Sequence, residues 1–248
     1  MKVVGIIPAF NEGERVLKVV KGTKKYLDEV IVIDDGSSDK TVEYAEKAGA
    51  IVINHPHNLG KGAACRSGFY AAIKLGCDAI IMLDGDGQHA CEDIPLFLDA
   101  AKKAELAGKS CIILGNRMSD VRNMPMIRRL TNTTLSLLLS FLAKQKISDS
   151  QCGFRFIHRQ ILEKVDYENN RYDAESEILV RASRAGFAIK DVPIQTIYSD
   201  EFSKINVFWD TLRFVRFFFK HLLYSPPISE SEGRNLSISL GKSVLEEK

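Results

Sequence analysis

Over its first half this chain alternates short β-rich runs with longer helical patterns, and that alternation restricts the folds open to it more than any other feature. Val3–Ile7, Val30–Ile33, Ile51–Ile53, Ala79–Leu83 and Ile112–Leu114 are short and rich in β-branched residues, which predicts strands. The stretches Glu14–Tyr26, Lys40–Ala48, Gly62–Leu75 and Ile94–Ala107 lie between them and predict helices. Such alternation demands right-handed crossovers and a mostly parallel sheet covered on both faces. The expected class is therefore α/β, with a doubly wound, Rossmann-like sheet.

Ligands of such sheets bind outside the carboxyl ends of the strands. Polar motifs fall at those ends: Pro8–Glu12 (PAFNE), Asp34–Ser37 (DDGS), Asn58–Gly62 (NLGKG) and Asp84–His89 (DGDGQH). Their convergence on one rim predicts a cleft. The last motif carries the most chemistry, since two carboxylates and an amide follow an apolar strand. Gly85 and Gly87 let backbone approach a bulky anion. Hard oxygens in small number suit Mg²⁺ or Mn²⁺ carrying a substrate diphosphate. Taken alone, the same string reads equally well as a solvated acidic turn.

With 248 residues and 45% hydrophobic content, the chain can bury one large core. A net charge of +2 excludes nucleic-acid coating by bulk charge, so anion binding must be local. The cysteines, at 65, 77, 91, 111 and 152, are odd in number and scattered, against a disulfide framework or zinc site. His89 and Cys91 lie close in sequence but lack partner ligands. The opening residues read as a strand rather than a leader, and no apolar run reaches the ~18 to 20 residues that span a bilayer.

The second half is less regular. Met126–Lys144 predicts a long helix with a very apolar middle. A polar loop, Ser148–Gly153, runs into Phe154–Ile157. Ala174–Ala185 predicts a further helix, and Ala188–Ile197 a strand pair around Pro193. Val207–Leu223 predicts an aromatic helix with one charged stripe: Asp210, Arg213, Arg216 and Lys220. The expected organisation is one domain over 1–224, with a nucleotide-binding half (1–117) and an acceptor- and membrane-facing half (118–224). A flexible tail over 225–248 completes it.

With PAFNE, DDGSSDKT, NLGKG, DGDGQH, Gly115–Arg117 (GNR) and Ser150–Arg155 (SQCGFR) in this order, the chain resembles family-2 glycosyltransferases of the GT-A fold. More narrowly, it resembles dolichyl- and polyprenyl-phosphate mannose or glucose synthases, over roughly residues 2 to 222. The resemblance implies an inverting transfer from GDP-mannose or UDP-glucose to an isoprenoid phosphate. It also implies a donor site built from Pro8, Phe10, Glu12, Ile33, Asp35, Lys61, Asp84, Gly85 and Lys204, with Asp35 accepting from a base N–H. Asp86 and Gln88 would be direct metal ligands, with Asp84 on the metal's water shell or the sugar. Asp34 and Asp39 have the simpler reading of turn formation and helix capping. Phe10 stands where many relatives carry tyrosine. Relatives often carry an arginine a few residues before a Ser-Lys pair that touches the donor diphosphate; Thr196–Lys204 keeps Ser203 and Lys204 but holds no arginine before them, a departure that bears on diphosphate anchoring and donor identity.

A phosphate monoester is already anionic at neutral pH, with a second pKa of ~6, so it needs cations rather than a base. Asp86, Arg117 and Arg155 are the expected catalytic residues. Ser150, Gln151, Arg128 and Arg129 are expected at the acceptor, although the arginine pair reads equally well as solvated helix surface. Val207–Leu223, and with less reason Met126–Lys144, would lie in the membrane interface. Either helix could instead simply pack on the sheet. The expected location is the cytoplasmic membrane face, as a peripheral protein; self-association is left open. Alternatives are transfer to a saccharide hydroxyl, with Asp173, Glu175 or Glu177 as base, a sugar-phosphate nucleotidyltransferase, or a non-enzymatic nucleotide-binding module.

Overall fold

The computed structural model describes residues 1–122, 124–165, 173–195, 197, 216, 218, 219 and 222. Seven strands form one mixed sheet in the order β3-β2-β1-β4-β6-β5-β7. The strands are β1 (Val3–Ala9), β2 (Glu29–Asp34), β3 (Ile51–Asn54), β4 (Ala79–Met82), β5 (Cys111–Asn116), β6 (Arg155–His158) and β7 (Ala188–Pro193). The helices are α1 (Glu14–Thr23), α2 (Thr41–Lys47), α3 (Lys61–Lys74), α4 (Ile94–Leu106), α5 (Met126–Ala143), α6 (Arg159–Lys164) and α7 (Asp173–Arg184).

Successive strand residues face opposite sides of the sheet, and both sides are apolar. Val4, Ile6, Ile31, Ile33, Ile80 and Met82 join a cluster with α3, α5 and α7. Ile7, Val30, Val32, Ile81 and Leu83 join another with α1 and α4. The sheet is therefore doubly covered, as the alternation demands. Helix α3 approaches closest at Gly68, where a Cβ would stand 2.6 Å from Ile6 Cγ2 and 2.7 Å from Ile33 Cδ1.

One expectation changes. Ala188–Ile197 is not a strand pair; β7 is single and runs parallel to β5. The segment after SQCG forms β6, antiparallel between β4 and β5, with Met82 opposite Arg155. An antiparallel strand starts at the rim where its parallel neighbours end. The loop 148–154 thus enters the same rim as the DGDGQH loop. The 207–223 helix lies mostly outside the described residues. Of its residues that are described, Phe218 packs on the α3 side of the core, while Phe219 and Leu222 are exposed. No helix among the described residues is long and apolar enough to cross a membrane.

Candidate active site

The sheet order reverses direction at β1, so the loops after β1 and β4 border the topological switch point. They touch there: a Cβ on Gly85 would stand 3.3 Å from Pro8 O, Ala9 Cβ and Glu12 Cγ. On the β4 side, Asp84 Oδ1 is 2.5 Å from Lys61 Nζ, and Oδ2 is 3.5 Å from His89 Nε2. Lys61, at the first turn of α3, also meets Glu175 Oε1 of α7 at 2.9 Å. Glu175 Oε2 lies 3.7 Å from Arg155 Nη2. Burial alone would raise the Asp84 carboxyl, but Lys61 and His89 hold it well below the usual carboxylate range. Burial would likewise lower the Lys61 ammonium, yet Asp84 and Glu175 keep it well above its ordinary value. Asp86 Oδ1 accepts from Gln88 N at 3.0 Å, which fixes the tip of the turn.

On the β2 side, Asp35 is buried and accepts from Leu59 N (2.9 Å) and Gly60 N (2.8 Å), with His55 Nδ1 at 2.8 Å from Oδ1. Asp34 Oδ2 accepts from Ser37 N, a turn-forming bond. Asp39 Oδ1 accepts from Thr41 N and Thr41 Oγ1, while Thr41 Oγ1 accepts from Glu12 N and Gly13 N. These bonds clamp the loop after β1 to the start of α2, with Asp39 in the turn-forming role read from the sequence.

At the opposite end, Arg117 follows β5 and forks onto the fully buried Asp149, with Nε at 2.7 Å and Nη2 at 2.9 Å. Burial would lower the guanidinium, but this bidentate pair raises it. Ser150 N donates to Ser136 Oγ of α5 at 2.9 Å. Gly153 lies against the Asp84 carboxylate, and Gly115 closes on Cys152 Sγ and Ile194 Cδ1. Ile197 N donates to Gln88 O, so the chain leaving β7 runs beside the acidic turn.

This cleft joins an acidic turn, a buried carboxylate and a fixed arginine, and the family signature agrees with it. The profile of Glycosyl transferase family 2 matches residues 6–166. The chain belongs to this family. It is 30% identical to the UDP-N-acetylglucosamine--dolichyl-phosphate N-acetylglucosaminyltransferase of Methanococcus voltae, over 79% of this chain and 85% of that one. It is 31% identical to polyprenol monophosphomannose synthase of Mycolicibacterium smegmatis, over 76% and 75%. Its fold matches glucosyl-3-phosphoglycerate synthase of Mycobacterium tuberculosis in complex with UDP, with TM-score 0.70 and 20% identity over 91% of this chain and 82% of that one. That synthase has also been crystallised with Mn²⁺ or Mg²⁺ together with UDP. The protein is thus a glycosyltransferase with a GT-A-like fold.

Within this family-2 frame the expected site residues divide. Pro8, Glu12, Asp35, Lys61, Asp84 and Gly85 lie on the converging loops or at their strand ends, and Phe10 is exposed beside them. Ile33 does not face the cleft with its side chain, which is fully buried beneath α3 because the strand's alternation points it inward. Arg155, expected at a phosphate, is 1% exposed and donates to the backbone oxygens of Cys152, Ser150 and Glu175. It braces the loop 148–154 rather than presenting a cation. Ser150 is buried against Ser136, whereas Gln151 is exposed; Arg128 is half-buried and Arg129 exposed on α5. Lys204 and Ser203 lie outside the described residues. Cys91 packs under α1 at Gly22, away from His89.

Several participants were not read from the sequence. His55, Ser67, Asp149 and Gly153 belong to no ligand-type spacing, and only the fold brings them in. The oxygens of Asp84, Asp86 and Gln88 fit a hard divalent ion in chemical type. Among the described residues no three His, Cys, Asp or Glu side chains form a cage.

Proposed function

We propose that this glycosyltransferase moves a hexose from a nucleotide sugar, GDP-mannose or UDP-glucose, to a polyprenyl or dolichyl phosphate with inversion, at the cytoplasmic membrane face. One observation carries the reading. Helix α5 buries polar Asn132 and Ser136 and exposes Ile127, Leu130, Leu137 and Phe141. Their spacing of three, seven and four residues makes one outward apolar stripe. The inward polar edge holds the loop through the Ser136–Ser150 and Ser140–Ile147 bonds. An apolar stripe facing outward on the helix that supports the acceptor-side loop suits a lipid-borne acceptor. The two curated relatives named for dolichyl-phosphate and polyprenol chemistry support the same choice.

In this reading Asp35 and the loop after β1 bind the nucleoside, and Lys61 orders Asp84 beside the diphosphate. A Mg²⁺ or Mn²⁺ ion at Asp86, Gln88 and the Asp84 side would supply charge neutralisation for the leaving diphosphate. Arg117, held by Asp149, sets a fixed positive field at the acceptor side. Arg128 and Arg129 stand at the start of the same helix and add charge near the lipid surface. A hydroxyl acceptor would require a base. Glu175 is tied to Lys61, and Glu177 is fully buried 2.7 Å from Arg181, so neither suits proton abstraction.

The deciding experiment incubates the protein with labelled sugar nucleotides, Mg²⁺ or Mn²⁺, and a polyprenyl phosphate. Label in the organic phase supports the proposal. Label only in aqueous oligosaccharide, or pyrophosphate exchange, would replace it.

A further inference from the structure

The carboxylate of Asp35 is the inner end of a hydrogen-bond chain that reaches through His55 to α3. His55 Nδ1 stands 2.8 Å from Asp35 Oδ1, and Nε2 stands 2.9 Å from Ser67 Oγ. Each of the three residues is less than a tenth exposed. A carboxylate only accepts, so Nδ1 carries a ring proton; in the neutral ring Nε2 then accepts from the Ser67 hydroxyl. Ser67 comes within reach because its neighbour Gly68 lets α3 settle onto Ile6 and Ile33. The loop bearing His57 and Asn58 closes on Gly36, where φ is +77° and a Cβ would meet His57 Cα at 2.7 Å. These close approaches make one rigid shelf from the ends of β2 and β3.

The bonds on Asp35 are unequal. Oδ1 holds His55 Nδ1 and Leu59 N, whereas Oδ2 holds Gly60 N alone among the described residues. The open acceptor direction is therefore on Oδ2, and the donors on Oδ1 stop the group from turning. We infer that His55, acting through Asp35, is a positioning residue that determines nucleobase specificity, selecting bases with a ring imino N–H. This rests on the donor-site reading of Asp35 and goes beyond it. Uracil and guanine offer such an N–H; cytosine and adenine present a ring-nitrogen lone pair, which a fixed acceptor-only oxygen repels. Ser67 fixes the tautomer and ring plane, as outer partners do for other oriented imidazoles.

The test is calorimetric titration of the full chain with UDP, GDP, CDP and ADP in the presence of Mg²⁺, independent of any acceptor. Wild type should bind UDP or GDP at least about tenfold more tightly than CDP and ADP, the scale of one well-placed hydrogen bond. His55→Ala should remove most of that ratio, and Ser67→Ala should reduce it a few-fold. His55→Asn, whose amide can replace the Nδ1–H donor, should recover much of it. A merely structural role would lower thermal stability and weaken all four ligands alike; an unchanged ratio in His55→Ala overturns the inference. If His55→Ala does not fold, an unchanged ratio in Ser67→Ala overturns it equally. Wild type that binds all four without preference defeats this inference alone, whereas wild type that binds none defeats the donor-site reading as well.

Discussion

Gly153 rests directly on the carboxylate of Asp84: a Cβ at position 153 would lie 2.8 Å from both Asp84 Cγ and Oδ1. The contact joins the loop entering the antiparallel strand β6 to the acidic turn after β4. It means that the position of Asp84 is set from two sides, by Lys61 and by a residue that must lack a side chain.

Gly153→Ala therefore forces Asp84 or the loop to move. Overpacking of this kind costs about 1–3 kcal/mol, so the melting temperature should fall by a few degrees while the protein still folds. Transfer should fall much more, by at least about tenfold, because Asp84 leaves its place beside Lys61. Calorimetry together with a transfer assay separates the two effects. Unchanged turnover would show that the exact place of Asp84 is unimportant.

Asp86 stands at the tip of the same turn, partly exposed, and accepts from Gln88 N. Asp86→Ala should leave the melting temperature within a few degrees of wild type and abolish transfer. Electron paramagnetic resonance titration with Mn²⁺ in the presence of UDP should show the ion's affinity falling by at least about tenfold. Wild-type turnover in this variant would remove the acidic turn from the mechanism.

Burial pushes the thiols of Cys65 and Cys152 up to about 12. A group whose folded pKa is raised stabilises the fold below its unfolded value and loses that contribution as pH rises toward the folded value. The window here runs from about pH 9, the unfolded thiol value, to about 12. Urea melts should show stability falling by ~1 kcal/mol per thiol between pH 8 and 10. Replacing either cysteine with alanine should flatten this alkaline limb. All five cysteines are buried, so iodoacetamide at pH 8 should label the native protein far more slowly than the urea-unfolded chain.

Leu137 and Phe141 are 66% and 67% exposed on α5. Changing both to aspartate should therefore alter stability by less than about 1 kcal/mol. The same change should reduce cosedimentation with vesicles containing acidic lipid several-fold and lower transfer to a polyprenyl phosphate. It should leave binding of the sugar nucleotide intact. Undiminished vesicle binding would assign the exposed stripe to something other than a lipid surface.

Local periodicity and turn chemistry were enough to read the five parallel-type strands of the first half and the helices between them. They also gave the place of the cleft, because strand ends and polar loops are short-range features. Asp39 as a turn-forming residue and Asp84, Asp86 and Lys61 as cleft residues followed from the same local logic. Only the tertiary structure decided that Arg155–His158 enters the sheet antiparallel, since a run of four residues carries no direction. That single choice carries the loop 148–154 to the rim of the cleft, seats Gly153 on Asp84 and pairs Asp149 with Arg117. It also turns Arg155 inward: the side-chain direction of a strand residue is fixed by its register, and a cation read from sequence as a phosphate ligand becomes an internal brace. The chain Asp35–His55–Ser67 was equally hidden, because its members come from different elements and meet only where α3 settles on the sheet at Gly68.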